Sequence, residues 1–197
     1  MAVTGGEPGP EIRFANSEDG WVLEGTLWET HDGGEHWYQP TLAGLHPGYE
    51  VTDVEASSGY VQVAVIDGSL DLAVRIESSP VSSDAWVESP TSVQIGAGPV
   101  PFARIVLQDT TGWLIENDRT IIGGARLVDG TWVPWDPPCT SVGGEAALAA
   151  SDAQKVVADC LSGVWTNPPV ISRTYVSDDG GSTFHSTPTP IPNAVFW

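Results

Sequence analysis

Two eight-residue stretches of this chain carry one pattern, and the distance between them fixes a repeat length. Thr30-His31-Asp32-Gly33-Gly34-Glu35-His36-Trp37 and Ser177-Asp178-Asp179-Gly180-Gly181-Ser182-Thr183-Phe184 both read Ser/Thr, x, Asp, x, Gly, x, x, aromatic. Asp32 and Asp179 lie 147 residues apart, which is three times 49 and predicts two more units between them. Trp86 and Trp132 supply the aromatics of those units, so that Trp37, Trp86, Trp132 and Phe184 follow one another at 49, 46 and 52 residues. The polar part survives there only as Ser82-Ser83-Asp84-Ala85-Trp86 and Val128-Asp129-Gly130-Thr131-Trp132.

A second motif runs ahead of the first. Asp19-Gly20-Trp21, Ser58-Gly59-Tyr60 and Thr111-Gly112-Trp113 each open an apolar strand with a Gly-aromatic step, and Ala153 to Val157 takes that place in the fourth unit without the motif. Short strands precede these at Ile12 to Ala15, Val51 to Ala56, Arg104 to Leu107 and Ala146 to Ala150. Third strands follow at Thr26 to Thr30, Leu70 to Glu77, Ile121 to Val128 and Ile171 to Ser177, and a fourth opens on each turn's aromatic. The 22 glycines and 16 prolines are scattered between these runs, as turns of an all-β chain require.

Four strands in about 49 residues, repeated four times, are the signature of β-propeller blades. A β-sandwich also has closely spaced strands, but gives no reason for one turn to recur at a multiple of 49. The expectation is an all-β propeller of about four four-stranded blades over residues 1–197, with blades near 11–48, 49–100, 101–143 and 144–197. Either four blades close a ring or the chain is part of a larger one. Ile191 to Trp197 reads as the opening strand of another blade, completing the first or marking the edge of a longer ring. An incomplete ring exposes strand edges and is expected to form a homodimer.

The turns carry folding chemistry. The carboxylate of Asp32 or Asp179 is expected to accept N–H groups of its own turn after Thr30 or Ser177, with Gly34 or Gly181 at positive φ and Trp37 or Phe184 packed between neighbouring blades. Neither loop offers the six or more oxygens that calcium takes, so no metal and no cofactor are expected.

The two octads resemble the Asp-box, or BNR repeat, of sialidases, xyloglucan-degrading hydrolases, sortilin-type receptors and photosystem assembly factors. The run from Asp19-Gly20-Trp21 to Trp37 is similar to the Gly-Trp strand and Thr-x-Asp-Gly-Gly-x-x-Trp turn of bacterial propellers of the assembly-factor kind. The resemblance implies boxes on the outer rim, away from the functional centre. It also implies, for sialidases, three arginines on the substrate carboxylate and a Tyr nucleophile activated by a Glu. Of Arg13, Arg75, Arg104, Arg119, Arg126 and Arg173, only Arg104-Ile105-Val106 approaches the Arg-Ile-Pro context of those enzymes, and they close six blades.

Hydrolysis by two carboxylates needs only one pair at the proper separation. Glu11, Glu24, Glu50, Asp109 and Glu116 lie near predicted strand ends, but nothing singles out a pair. His31, His36, His46 and His185 accompany no nucleophile motif, and Gly33-Gly34 and Gly180-Gly181 belong to turns instead of phosphate loops. The reading that remains is a non-catalytic binding or assembly module for a protein or a glycan, with a glycoside hydrolase or a fragment of one as the alternative. Of the nine tryptophans, Trp28, Trp135, Trp165 and Trp197 lie outside the repeat register, and Trp28, Trp135 and Trp165 are the candidates for stacking on a ligand.

With 26 Asp and Glu against 7 Lys and Arg, the net charge of −19 opposes binding to nucleic acid or to anionic membranes. Apolar runs reach five or six residues, far below the roughly 20 that span a bilayer. Cys139 and Cys160, 21 residues apart, lack zinc-site spacing and either pair with each other in an oxidising compartment or stay as buried thiols. Residues 1–10 lack the features of a signal peptide and read as an added start on a mature chain, so that the expected location is secreted or cell-envelope, in a bacterium.

Overall fold

The computed structural model describes residues 10–45, 48–67, 73–90, 93–94, 102–117, 121–140, 144–162 and 171–187. His46, Arg119, Trp165 and the Ile191 to Trp197 segment lie outside the described residues. The described chain is all β, in four sheets that follow one another along the sequence.

The first sheet holds β1 (Glu11–Phe14), β2 (Gly20–Leu23) and β3 (Leu27–Thr30), in that order. The fourth strand expected at Trp37 is reduced to one antiparallel bridge between Glu29 and Tyr38. The second sheet contains β4 (Tyr49–Ser57), β5 (Tyr60–Asp67), β6 (Ala73–Pro80) and β7 (Val87–Glu88), with β8 (Val93–Gln94) also paired to β6. The third is β9 (Phe102–Gln108), β10 (Thr111–Asn117), β11 (Ile121–Val128) and β12 (Thr131–Pro134). The fourth is β13 (Gly144–Ala150), β14 (Val156–Ser162), β15 (Ile171–Ser177) and β16 (His185–Ser186). Each sheet is a meander with the strand that opens it at one edge.

The chain groups into two compact units, Met1–Gln94 with Ala103–Ile105, and Ile95–Phe102 with Val106–Trp197. In the first, Trp21, Leu23, Leu27, Val51, Val54, Val61, Val63, Val65 and Trp86 form a core, each such side chain contributing about 1.5–3 kcal/mol of burial. A bulge between Val51 and Asp53 breaks the alternation of β4, so Val51 and Val54 both enter that core. In the second, Ile121, Ala158 and the Cys139–Cys160 disulfide form a core flanked by Leu148, Tyr175 and Phe184. The two cysteines are thus paired, with Cα atoms 5.5 Å apart.

Gly20 is where the Gly-aromatic step has a steric cause. The Phe14 ring lies over it so closely that a Cβ would meet ring carbons at 2.6 Å. Ser58-Gly59 is different: both residues have positive φ and make the hairpin between β4 and β5.

Candidate functional site

The two octads fold alike. Thr30 Oγ1 donates to Asp32 Oδ1 at 2.8 Å and accepts the Gly34 amide at 3.0 Å, and Asp32 Oδ1 also accepts the His36 amide at 2.9 Å. Ser177 Oγ donates to Asp179 Oδ1 at 2.7 Å and accepts the Gly181 amide at 2.7 Å, and Asp179 Oδ1 accepts the Thr183 amide at 2.8 Å. Gly33, Gly34, Gly180 and Gly181 all have positive φ, one more glycine in each turn than the sequence pattern demanded. The Thr183 hydroxyl and amide hold the Asp179 carboxyl down at about 2, and the His36 amide and ring hold Asp32 well below the usual carboxylate range. Trp37 packs edge-on against Phe14 of β1, with ring centroids 6.2 Å apart. Phe184 stands against Trp135 at 6.1 Å.

The second repeat keeps more of the pattern than its sequence suggested, but in a different place. Ser79 lies 49 residues after Thr30, is fully buried, and hydrogen-bonds the Ser83 carbonyl oxygen. The remnant therefore runs from Ser79 to Trp86, with Val81 where the aspartate would be.

Charged side chains from the opening strands of three sheets meet in the first unit. Arg13 of β1 pairs with Glu11 at 2.7 Å and Glu55 at 3.2 Å, while Arg104 stands 4.0 Å from Glu11 and 3.9 Å from Asp53. Asp53 also accepts the Ile105 amide. Burial and the adjacent Glu11 carboxyl push Asp53 up to about 8, against the pull of the Ile105 amide and Arg104. The sequence flagged Glu11, Arg13 and Arg104 separately but gave no sign that Asp53 and Glu55 would join them.

A second cluster surrounds His31. Its Nδ1 meets Asp19 Oδ1 at 2.5 Å and its Nε2 meets Asp84 Oδ1 at 3.0 Å. The Tyr38 hydroxyl donates to Asp84 at 3.1 Å, and Trp21 Nε1 donates to Glu29 Oε2 at 3.1 Å. Glu29 is buried, and its other oxygen has no hydrogen-bond partner. Glu29 lies on β3 and His31 just past its end; Asp84 arrives from 53 residues beyond His31, a proximity no local spacing announces. Ligand atoms of Glu29, His31 and Asp84 lie within 4.8 Å of one another, as do those of the exposed Asp32, Glu35 and His36.

Of the tryptophans considered for stacking, Trp28 is 37% exposed on β3. Trp135 is half-buried and donates its Nε1 to the Gly181 carbonyl oxygen at 2.8 Å. Among the other arginines, Arg126 reaches Ser182 Oγ at 3.4 Å, and Arg75 pairs with Glu88 at 3.5 Å. Two buried acids lie apart from both clusters. Glu116 has no hydrogen-bond partner on either oxygen and Glu77 is approached only by the Ala43 backbone, and burial pushes each up to about 7. Among the described residues no helix is long and apolar enough to cross a membrane.

No protein-family model matches this chain, and no curated protein matches it. Solved structures do. An enzyme of Niastella koreensis designated GH74 is 16% identical over 87% of this chain and 28% of its own, with a TM-score of 0.52. A Bacteroides ovatus protein titled Xyloglucan PUL GH43B is 14% identical over 94% of this chain and 42% of its own, with a TM-score of 0.51. The chain thus spans less than half the length of either. Likeness at this level concerns the fold: the chain is an all-β propeller protein, with one blade per sheet.

Proposed function

We propose that this chain is a non-catalytic binding module of the Asp-box propeller kind, and that it takes a protein partner through one face of its first sheet. The observation that carries the reading is a row of apolar side chains, all exposed except the half-buried Val22. Ile12, Val22 and Trp28 stand directly opposite one another across β1, β2 and β3, and Phe14 lies two residues from Ile12 on the same face. Ile12 is 59% exposed and Phe14 47%. Scattered apolar residues are ordinary on a surface, whereas a contiguous row with two aromatics marks an interaction face.

The chain's charge of −19, with exposed Glu18 and Glu24 at the two ends of β2, selects a partner whose apolar patch is rimmed by basic residues. The same charge sets two copies of this chain against each other. The matching hydrogen bonds of the two octads support the Asp-box assignment, and the Cys139–Cys160 disulfide supports an oxidising, extracytoplasmic location. Bacterial origin rests on the resemblance of the motifs alone. The hydrolytic reading draws less support. Glu11 lies within hydrogen-bonding reach of Asp53 and both face arginine, whereas hydrolytic pairs stand about 5–9.5 Å apart.

Panning a displayed peptide library on the full chain tests the proposal. Enriched peptides should combine aromatic or aliphatic residues with Lys or Arg, and an Ile12→Ser/Trp28→Ser variant should lose them. Enrichment indifferent to that variant overturns the assigned face. Turnover on a fluorogenic glycoside panel overturns the non-catalytic reading, and saturable binding on a glycan array in place of peptide binding overturns the choice of a protein partner.

A further inference from the structure

The cluster around His31 contains a feature that its own hydrogen bonds do not resolve. Glu29 is 1% exposed, its Oε2 is taken by the Trp21 indole, and its Oε1 lies buried with no donor. Its neighbour is another carboxyl group, that of Asp84, which reaches Glu29 and His31 from the turn between β6 and β7. The donors that reach Asp84, His31 Nε2 and the Tyr38 hydroxyl, do not reach Glu29 Oε1, so that oxygen meets the Asp84 carboxyl with only a shared proton or a cation to satisfy it. An unsatisfied oxygen this deeply buried is costly to keep.

The remaining parts of the cluster are those that orient metal ligands. The Asp19 carboxylate takes one ring nitrogen of His31, leaving Nε2 directed at Asp84. Asp19 is itself fixed, since Asn16 donates to its Oδ2 at 2.7 Å and accepts its amide at 2.9 Å. A carboxylate on the far nitrogen of a ligating imidazole is the usual second support of a metal centre. Tyr38 does the same for Asp84, donating to its Oδ1.

We propose that Glu29, His31 and Asp84 form a binding site for a divalent transition-metal ion of the zinc class, with Asp19 and Tyr38 as positioning residues. Three protein ligands, one of them imidazole, suit an ion that accepts mixed nitrogen and oxygen donors in a tetrahedral set. Calcium is disfavoured because it takes six to eight oxygens. Donors on tetrahedral zinc lie about 3.3 Å apart, from bonds of about 2.0–2.1 Å. The three ligand atoms are already within 4.8 Å of one another, so a small inward movement completes the set. Asp84 and His31 are partly exposed, which gives the ion an entry path and leaves a position for water. The neighbouring set of Asp32, Glu35 and His36 lacks these features. It is exposed throughout, and both Asp32 oxygens already accept hydrogen bonds from Thr30 and His36.

Isothermal titration of the chelator-treated full chain with Zn2+ tests the site, with Co2+ absorption reporting the ligand geometry. One ion per chain should bind saturably. Glu29→Gln, His31→Gln and Asp84→Asn should each weaken binding by at least about tenfold, and Asp19→Asn by about 10–100-fold. His36→Gln should leave binding unchanged. His31 and Asp84 are exposed enough for their variants to fold, which circular dichroism checks, so the outcome does not depend on Glu29→Gln alone. No saturable uptake, uptake that survives both His31→Gln and Asp84→Asn, or loss on His36→Gln instead overturns the site. Displacement of Zn2+ by equimolar Ca2+ overturns the class of ion.

Discussion

Trp113, wholly buried on β10, donates its indole N–H to the carbonyl oxygen of Gly180 at 3.0 Å. The third sheet's Gly-aromatic strand thereby holds the turn of the fourth sheet, joining the two repeating motifs of the chain in one hydrogen bond. Trp135 adds a second anchor at Gly181. Trp113→Phe keeps most of the ring but orphans the Gly180 oxygen, and should cost about 2–3 kcal/mol in urea unfolding. Trp135→Phe, less buried, should cost about 1 kcal/mol.

Acid should loosen the turns. The folded-state value of Asp179 is held at about 2, below an unfolded value of about 3.9. The unfolded chain therefore binds protons first, and stability present above about pH 4 is lost as pH falls toward 2. Asp32 shifts in the same direction. Urea midpoints measured between about pH 5 and pH 2 should fall more steeply for the native chain than for an Asp32→Asn/Asp179→Asn variant.

The opposite dependence should come from Glu116. Burial lifts its folded value to about 7, above an unfolded value of about 4.3. Between these values the folded chain keeps a proton that the unfolded chain has released, so stability declines as pH rises from about 4.3 to 7 and levels off above. The decline should amount to about 3–4 kcal/mol. Glu116→Gln should flatten it, and because Glu77 shifts likewise, Glu77→Gln should remove a further share. Thermal melts across this range give the measurement.

Burial and the Glu11 carboxyl disfavour the charged form of Asp53, so replacing it with a neutral isostere should matter little. Asp53→Asn should stay within about 1 kcal/mol of the native chain, whereas Asp53→Ala strands the Ile105 amide and should cost about 2–3 kcal/mol. Equal losses in the two variants would show that the charge, not the acceptor, is what the Ile105 amide uses.

Much of the fold was legible because it is periodic. β11 and β15 have the bounds that the repeat predicts, and the opening strands differ from expectation by at most two residues at either end. The octads announced their own hydrogen bonds, since a hydroxyl, a carboxylate and glycines at fixed offsets have few ways to satisfy a turn. The fourth strand of the first sheet was overestimated because Trp37 packs on Phe14 and leaves only the Glu29–Tyr38 bridge. Ser79 was overlooked because Ser82-Ser83-Asp84 looked more like the pattern than Ser79-Pro80-Val81 did. The acids were the hardest to read. In a chain with 26 of them, nothing local separates Glu29, Asp53, Glu77 and Glu116, which are buried, from those that face water. Burial there comes from strands that meet across tens of residues.

The Cys139–Cys160 bridge changes what happens when the chain is damaged. Cys139 follows β12 and Cys160 sits on β14, so the third and fourth sheets are joined once by backbone and once by sulfur. A protease cut anywhere between the two cysteines yields pieces that stay covalently attached until a reductant is added. Tension along the chain would likewise pass through the sulfur bond and bypass the peptide segment it spans. Hydrolytic or mechanical injury to that segment leaves the last two sheets tethered, a form of durability that hydrogen bonds and packing do not supply.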